Sequence, residues 1–172
     1  MRRDHLLDAA EALLAEAGTR ALTLAAVAQR AGVSKGGLLH HFATKEALVA
    51  ALVERLITDF DELISRFDDG TPEGHARAYV QATFDSLAEA AQSQRRWTAV
   101  IAAATEAHRL DPLRAALRRW HRRDETAVDP VALRIARLAA DGLWENLVLD
   151  PGLFDVADVE ALRVRLLELT RC

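Results

Sequence analysis

The side chains with the clearest binding chemistry lie in one short segment, where a lysine, two glycines and two histidines occur within seven residues. Lys35, His40 and His41 carry groups that can donate to base edges or phosphate oxygens. Gly36 and Gly37 have no side chain, so the backbone there can approach a duplex closely. This combination favours binding in the major groove of DNA, which is about 12 Å wide and admits one α-helix.

A tight turn between two short helices positions this segment. Thr23 and Ser34 are typical N-cap residues, because their hydroxyls accept hydrogen bonds from amides that a first helical turn leaves unpaired. Gly32 suits the left-handed conformation that ends a helix, and only one residue separates it from Ser34. Helices joined so tightly must cross steeply, as in a helix-turn-helix. Leu38 and Phe42, four residues apart, give the second helix its inward face.

The outward side of the second helix is expected to carry the DNA contacts. Base or close-groove contact is expected from Lys35, His40 and the glycine backbone. Phosphate contact is expected from Thr23, His41 and Lys45. Adjacent histidines on a helix point about 100° apart, so neither a shared metal ion nor any cofactor is expected. The predicted DNA-binding residues are Thr23, Ser34, Lys35, Gly36, Gly37, Leu39, His40, His41 and Lys45.

The segment from His5 to Leu52 resembles the DNA-binding domain of TetR-family transcriptional regulators in order and spacing, from LLDAAEALLAEAG through the helix-turn-helix to KEALVAAL. The resemblance implies a three-helix DNA-binding head, a connecting fourth helix, and a helical body that binds a ligand and dimerises. It also implies repression that a ligand releases. Family members commonly have a small hydroxyl residue or alanine at the position of Gly37 and tyrosine at that of Leu39. A hydroxyl contact from position 37 and a tyrosine contact to phosphate from position 39 are therefore not expected here.

Helical spacing of apolar residues continues beyond the head, and no strand alternation interrupts it. The sequence predicts an all-α chain of about nine helices. Residues 1–46 are expected to form the helix-turn-helix domain, and residues 47–172 a helical effector-binding and dimerisation domain. The predicted helices are 4–17, two short helices starting after Thr23 and Ser34, then 44–67, 72–91, 94–108, 112–123, 130–149 and 155–170.

Charge is distributed unevenly along the chain. The formal net charge is −4, but residues 1–48 carry six Arg or Lys and five Asp or Glu, which gives +1 for the head and leaves −5 for the rest. Arg30, Lys35 and Lys45 flank the turn, so DNA affinity is expected to fall steeply with salt. The single cysteine, Cys172, the lack of a long apolar run and the lack of a signal-peptide pattern favour a cytoplasmic protein with no membrane partner.

The last two long helices carry apolar residues on more than one face, which indicates a partner helix. Two helices from each of two chains would form a four-helix bundle, and the family resemblance also implies a homodimer. The alternative is that both helices lie inside a monomeric body. The predicted interface residues are Ile135, Leu138, Gly142, Leu162 and Leu166.

Aromatic and aliphatic residues in the middle of the chain are candidates for lining an effector cavity, although ordinary core positions have the same composition. The candidates are Tyr79, Phe84, Trp97, Ile101, Leu117 and Trp120. They favour a small effector that is largely apolar or aromatic.

The predicted function is a sequence-specific DNA-binding regulator, a repressor that a ligand releases from a palindromic operator with half-sites about one helical turn, or a multiple, apart. Its partners would be double-stranded DNA, a small-molecule effector and a second copy of the chain. Ligand would shift the helix from Thr44 to Phe67 and so change the spacing of the heads. An enzyme is not expected, since no phosphate loop, nucleophile elbow or metal-spaced carboxylate pair occurs. A helical interaction protein with weak or lost DNA binding is the alternative, because of Gly37 and Leu39.

Overall fold

The computed structural model describes residues 3–88, 91–122 and 126–171, which form nine α-helices, one short 3-10 helix (Thr19–Ala21) and no strand. The predicted all-α fold with nine helices is confirmed over these ranges. The predicted end of the seventh helix near residue 123 lies outside them. The α-helices are α1 Arg3–Ala17, α2 Leu24–Arg30, α3 Lys35–Leu39, α4 Lys45–Ser65, α5 Pro72–Ala88, α6 Ala91–Glu106, α7 Asp111–His121, α8 Pro130–Leu149 and α9 Val156–Leu169.

Hydroxyl caps start the two helices of the turn, as their sequence predicts. The Thr23 hydroxyl accepts from the amide of Ala26 at 3.1 Å, and the Ser34 hydroxyl accepts from the amide of Gly37 at 3.1 Å. Gly32 has φ +65°, the left-handed conformation in which a Cβ would be strained. Local residue chemistry therefore fixes where α2 ends and where α3 begins.

The chain divides into two compact units, Met1–Ile57 with Arg95–Arg114, and Thr58–Gln94 with Ala115–Cys172. This division differs from the predicted domains, which change once, after residue 46. Packing assigns most of α6 and the start of α7 to the first unit, although a long stretch of sequence separates them from the head. A prediction that cuts the sequence once cannot assign a later helix to the core formed by the first helices.

One apolar core holds the first unit together. It joins α1, α2, α3 and α4 to α6, and its central side chains are almost fully buried. Burial of an aliphatic side chain contributes roughly 1.5–3 kcal/mol, so this core supplies most of the stability of a short-helix domain. Its members include Leu6, Leu14, Leu22, Val27, Leu38, Phe42, Leu48, Leu52, Val100, Ala103 and Ala104.

An ion cluster on the first unit links α1, α4 and α6. The Arg55 guanidinium lies 2.6 Å from the Glu11 carboxylate and 2.7 Å from that of Asp8. Arg96 lies 2.8 Å from the same Glu11 carboxylate. The side chains of Arg55 and Glu11 are only 17% and 14% exposed, so each needs its opposite charge nearby.

The second unit has its own core between α5, α8 and α9. Val80 and Phe84 of α5 pack with Ala136, Ala140, Leu143 and Leu147 of α8 and with Leu166 of α9. None of the described helices combines the length and apolarity that a membrane span requires.

Glu11→Ala is expected to lower the free energy of unfolding by about 2 kcal/mol, because it leaves two partly buried guanidinium groups without their shared carboxylate. Glu16→Ala is the matched control on the same helix. Glu16 pairs with Arg30 at 2.6 Å, but its side chain is 61% exposed, so the loss should be clearly smaller. Chemical denaturation followed by circular dichroism measures both, and equal losses would contradict the role of the cluster.

Candidate functional site

The candidate DNA-reading helix α3 is very short and is anchored by one buried side. Leu38 is fully buried and Phe42 is 2% exposed, which confirms the predicted inward face. The helix ends at Leu39, so His40 is its C-cap and His41 lies in the following turn. The positions predicted to meet DNA are thus divided between one and a half turns of helix and the turn after it.

The opposite side of α3 is open to solvent. Lys35, Gly36, Leu39 and His40 are exposed, whereas His41 is half-buried. The imidazole rings of the two histidines meet edge to face with centroids 5.5 Å apart. No group of three metal-ligating side chains occurs among the described residues.

Gly36 leaves a space that the protein itself does not use. A Cβ placed there would have only the Ser34 hydroxyl within reach, at 4.0 Å, and its φ is not in the left-handed region. A glycine inside a helix costs about 1 kcal/mol relative to alanine. The fold therefore gains no stability from a glycine at this position. The open space beside Gly36 would allow another molecule to approach the backbone closely.

The two capping hydroxyls can still donate a hydrogen bond to DNA, whereas the Gly37 amide cannot. Thr23 and Ser34 accept from amides, which leaves each hydroxyl proton available to a phosphate oxygen. The amide of Gly37 already donates to Ser34, so it is not a free donor. If DNA approaches the two glycines closely, it would do so because they have no side chains, and not because the Gly37 amide donates a hydrogen bond to it.

The cations around the turn differ in how far contacts within the protein already occupy their hydrogen-bond donors. Arg30 donates two hydrogen bonds to Glu16, at 2.7 and 2.6 Å, and this contact lowers the pKa of the Glu16 carboxyl. Lys45 is half-buried and its Nζ donates to the Thr19 carbonyl at 3.3 Å, which leaves two of its three protons for other acceptors. Of the three cations expected to flank the turn, Arg30 is thus neutralised locally by its partner.

Two family sequence models match this chain, one in its N-terminal part and one in its C-terminal part. Residues 6–52 match the sequence model described as bacterial regulatory proteins, tetR family. Residues 73–171 match the tetracyclin repressor-like, C-terminal domain, so the matched segments cover well over half of the chain. The chain belongs to the TetR family of transcriptional regulators. It is therefore a helix-turn-helix DNA-binding regulator, and α3 occupies the position of the reading helix.

Individual relatives agree with this assignment. The HTH-type transcriptional regulator BetI of Serratia proteamaculans (strain 568) is 31% identical, over 94% of this chain and 88% of its own length. A TetR-family member from Streptomyces coelicolor A3 has the same fold with a TM-score of 0.72, at 22% identity over 97% of this chain and 96% of its own. The multidrug binding protein EbrR complexed with malachite green also gives 0.72, at 22% identity over 98% and 97%.

The residues predicted to bind an effector do not form one set in this TetR-family chain. Tyr79, Phe84 and Trp120 are buried in the second unit. Leu117 is 40% exposed. Trp97 and Ile101 lie in the first unit, where Trp97 packs against the core that supports α3. Sequence position on neighbouring helices did not indicate which core each side chain joins.

An aromatic cluster in the second unit includes one residue that the ligand prediction omitted. The rings of Phe60, Tyr79 and Trp120 meet with centroids 5.0 to 6.3 Å apart. The Tyr79 hydroxyl donates to the Asp141 carboxylate at 2.9 Å, and the Trp120 indole donates to that of Asp61 at 2.6 Å. Phe60 lies on the apolar stripe of α4, but nothing local in the sequence links it to α5 and α7.

Further polar groups surround the cluster. His75 is 4% exposed and lies between the Asp68 carboxylate, at 2.8 Å from Nδ1, and the Trp120 carbonyl, at 3.2 Å from Nε2. Arg137 is fully buried and donates to the His121 carbonyl at 3.4 Å. This part of the second unit is therefore both aromatic and charged, and less apolar than the sequence suggests.

The predicted dimer residues divide by exposure. Ile135 and Leu138 are 52% and 61% exposed, Leu162 is 38% exposed, and a Cβ at Gly142 would meet nothing within 4 Å. Leu166 is different, because it is buried in the core of its own chain and does not belong to this face. Val131 and Leu149 extend the exposed stripe of α8 and were absent from the prediction.

Asp141→Asn is expected to raise the melting temperature at pH 7, with a gain that shrinks towards pH 4. Burial raises the pKa of Asp141 from 3.8 to about 6, and nearby Glu145 acts in the same direction. A raised carboxyl pKa contributes stability below about pH 4 that is lost as the pH rises through 6. The amide oxygen still accepts from Tyr79 without the charge.

Asp158→Asn, at an exposed position on α9, is the control and should show no such pH-dependent gain. Thermal melts of the three proteins at pH 4, 5, 6 and 7 make the comparison. A gain for Asp141→Asn that is the same at every pH would show that the raised pKa is not its cause.

Proposed function

We propose that this TetR-family chain is a repressor that binds a palindromic operator as a homodimer and leaves it when a small ligand binds the body. The observation that carries the proposal is the position of α6. Its buried residues Val100, Ala103 and Ala104 belong to the core that holds the reading helix. A change in α6 therefore acts directly on the support of α3.

On the DNA side, each α3 would enter one major groove of an operator half-site, the half-sites lying about one helical turn or a multiple apart. Lys35 and His40 are exposed and suit base or close-groove contact. Thr23, His41 and Lys45 suit phosphate contact. Two symmetric heads account for a palindrome, because operator symmetry mirrors protein symmetry.

The exposed stripe of α8 supports pairing with a second copy. Val131, Ile135, Leu138 and Leu149 are each more than half exposed and repeat at helical spacing. Gly142 lies within this stripe with open space around it, so a facing helix can approach its backbone closely. An isologous two-fold interface brings the same stripe from both chains together and removes it from water.

The proposed effector is small and largely apolar or aromatic. Tyr79, Phe84 and Trp120, with Phe60, supply aromatic surface in the second unit. The structural relative EbrR, a multidrug binding protein, was solved with malachite green, an observation in the same direction. Trp97 and Ile101 lie in the first unit, so we assign them to the route between ligand and DNA.

Two contacts give this route a physical basis. The Thr19 hydroxyl donates to the Glu106 carboxylate at 2.7 Å, which joins the end of α6 to the 3-10 helix before the turn. Arg96, near the start of α6, pairs with Glu11. The chain also passes between the units within α4, within α6 and within α7. A coupling of about 1–3 kcal/mol between ligand and DNA, roughly 5- to 150-fold in affinity, would be enough for a switch.

DNA binding is tested with the full chain and fluorescent duplexes from the promoter region flanking its own gene. Specific binding that weakens steeply with salt is expected. Lys45→Ala should weaken binding to all duplexes and flatten the slope of log affinity against log salt by about one unit. An unchanged slope would remove Lys45 from the phosphate contacts. No specific binding at low salt would favour the alternative of a helical interaction protein.

Ligand release is measured on the same complex by adding malachite green as a probe and following fluorescence anisotropy. A displaced duplex and a raised melting temperature of the free protein are expected, because the ligand would bind one state preferentially. If a panel of hydrophobic and aromatic probes neither releases DNA nor shifts the melting temperature, the proposed effector class is wrong.

Leu138→Glu is expected to produce monomers that bind the operator weakly, because two glutamates would face each other across the two-fold axis. Ala115→Glu is the control, since it places the same charge at an exposed position on α7, away from the stripe. Sedimentation velocity separates the two outcomes. A dimer that survives Leu138→Glu would place the interface elsewhere.

A further inference from the structure

We infer that Leu39 reads a thymine methyl group in each operator half-site, an assignment that rests on the proposed operator binding. Among the described residues of the first unit, Leu39 is the only large hydrophobic side chain that is exposed, at 38%. Its neighbour Leu38 is fully buried, so α3 places one leucine in the core and the next one outside. All the other exposed large hydrophobic residues described in the chain lie in the second unit.

The side chain of Leu39 is not covered by its own helix. Side chains on a helix lean towards its N-terminus, which directs Leu39 over the turn containing Lys35 and Gly36. No side-chain atom of Leu39 lies within 4 Å of the position that a Cβ on Gly36 would take. The missing side chain at Gly36 thus leaves the leucine without an apolar neighbour there and leaves room for a duplex to reach it.

The chemistry of leucine restricts what it can recognise in DNA. It has no donor or acceptor, so it gains nothing from a phosphate oxygen or from the polar edge of a base. The C5-methyl group of thymine is the apolar feature that the major groove presents. Contact between the two removes apolar surface from water on both sides.

The same geometry predicts the surroundings of that thymine. Lys35 lies four residues before Leu39, which on a helix separates neighbouring side chains by about 5–6 Å. A lysine in the major groove suits the O6 and N7 acceptors of guanine. Because base pairs are about 3.4 Å apart, the thymine should lie within about two base pairs of a guanine.

The test removes only the methyl group. Operator duplexes are first selected from a random pool with the full-length protein, and each thymine is then replaced by deoxyuridine. At one position in each half-site we expect affinity to fall about fourfold, and about fifteenfold when both half-sites are changed, as the burial of one methyl group predicts. Replacement at the other positions should have little effect.

Leu39→Ala should bind the thymine and deoxyuridine duplexes equally, which links the methyl group to this side chain. Leu39→Met is the control variant, because an unbranched apolar side chain of similar size should keep most of the discrimination. Since Leu39 is exposed, thermal melts of both variants should match that of the unmodified protein.

Two results would overturn the inference alone. The selected duplexes could bind equally well with and without every thymine methyl, or Leu39→Ala could keep the full difference between them. A third result is distinct, because failure to enrich any sequence from the pool would overturn the proposed operator binding and this assignment with it.

Discussion

A five-residue helix that contains two adjacent glycines does not hold its conformation in water by itself, and the DNA-binding unit is organised around that constraint. Two local devices fix α3 at its ends, a serine hydroxyl at the start and the buried side chains of Leu38 and Phe42 towards the finish. Everything else is supplied by the core beneath it. The orientation of the reading helix is therefore a property of the whole first unit and varies whenever that core rearranges.

In the proposed function, the participation of α6 in this core lets ligand binding rearrange it. The DNA-binding unit is completed by a helix that the sequence places among the helices of the body. Apolar packing through Val100 and ion pairing through Arg96 join it to the helices that support α3. A protein built in this way needs no separate signalling element, because the helix that would respond to the body is also part of the structure that presents the reading surface.

Local sequence predicted much of the fold and of the DNA-binding region. Thr23, Ser34 and Gly32 act within four residues of their positions, so their roles can be read from neighbours alone. The contacts within the body were harder to predict from the sequence, because they join residues that are distant in sequence. Tyr79 bonds to Asp141 and Trp120 to Asp61 across some sixty residues, and helical periodicity carries no information about such partners. The same limit explains why the sequence groups Trp97 with the body and assigns Leu166, which is buried in its own chain, to the dimer interface.

The unused space at Gly36 has a consequence for how this sequence can change. An alanine there would improve helix propensity by about 1 kcal/mol and clash with nothing in the chain. Selection for thermal stability alone, in a laboratory or in a consensus redesign, would thus tend to fill this position, and under the proposed contact with DNA it would weaken operator recognition while folding stability improved. Under the proposed DNA contact, Gly36 would mark a position where binding is kept at the expense of folding stability.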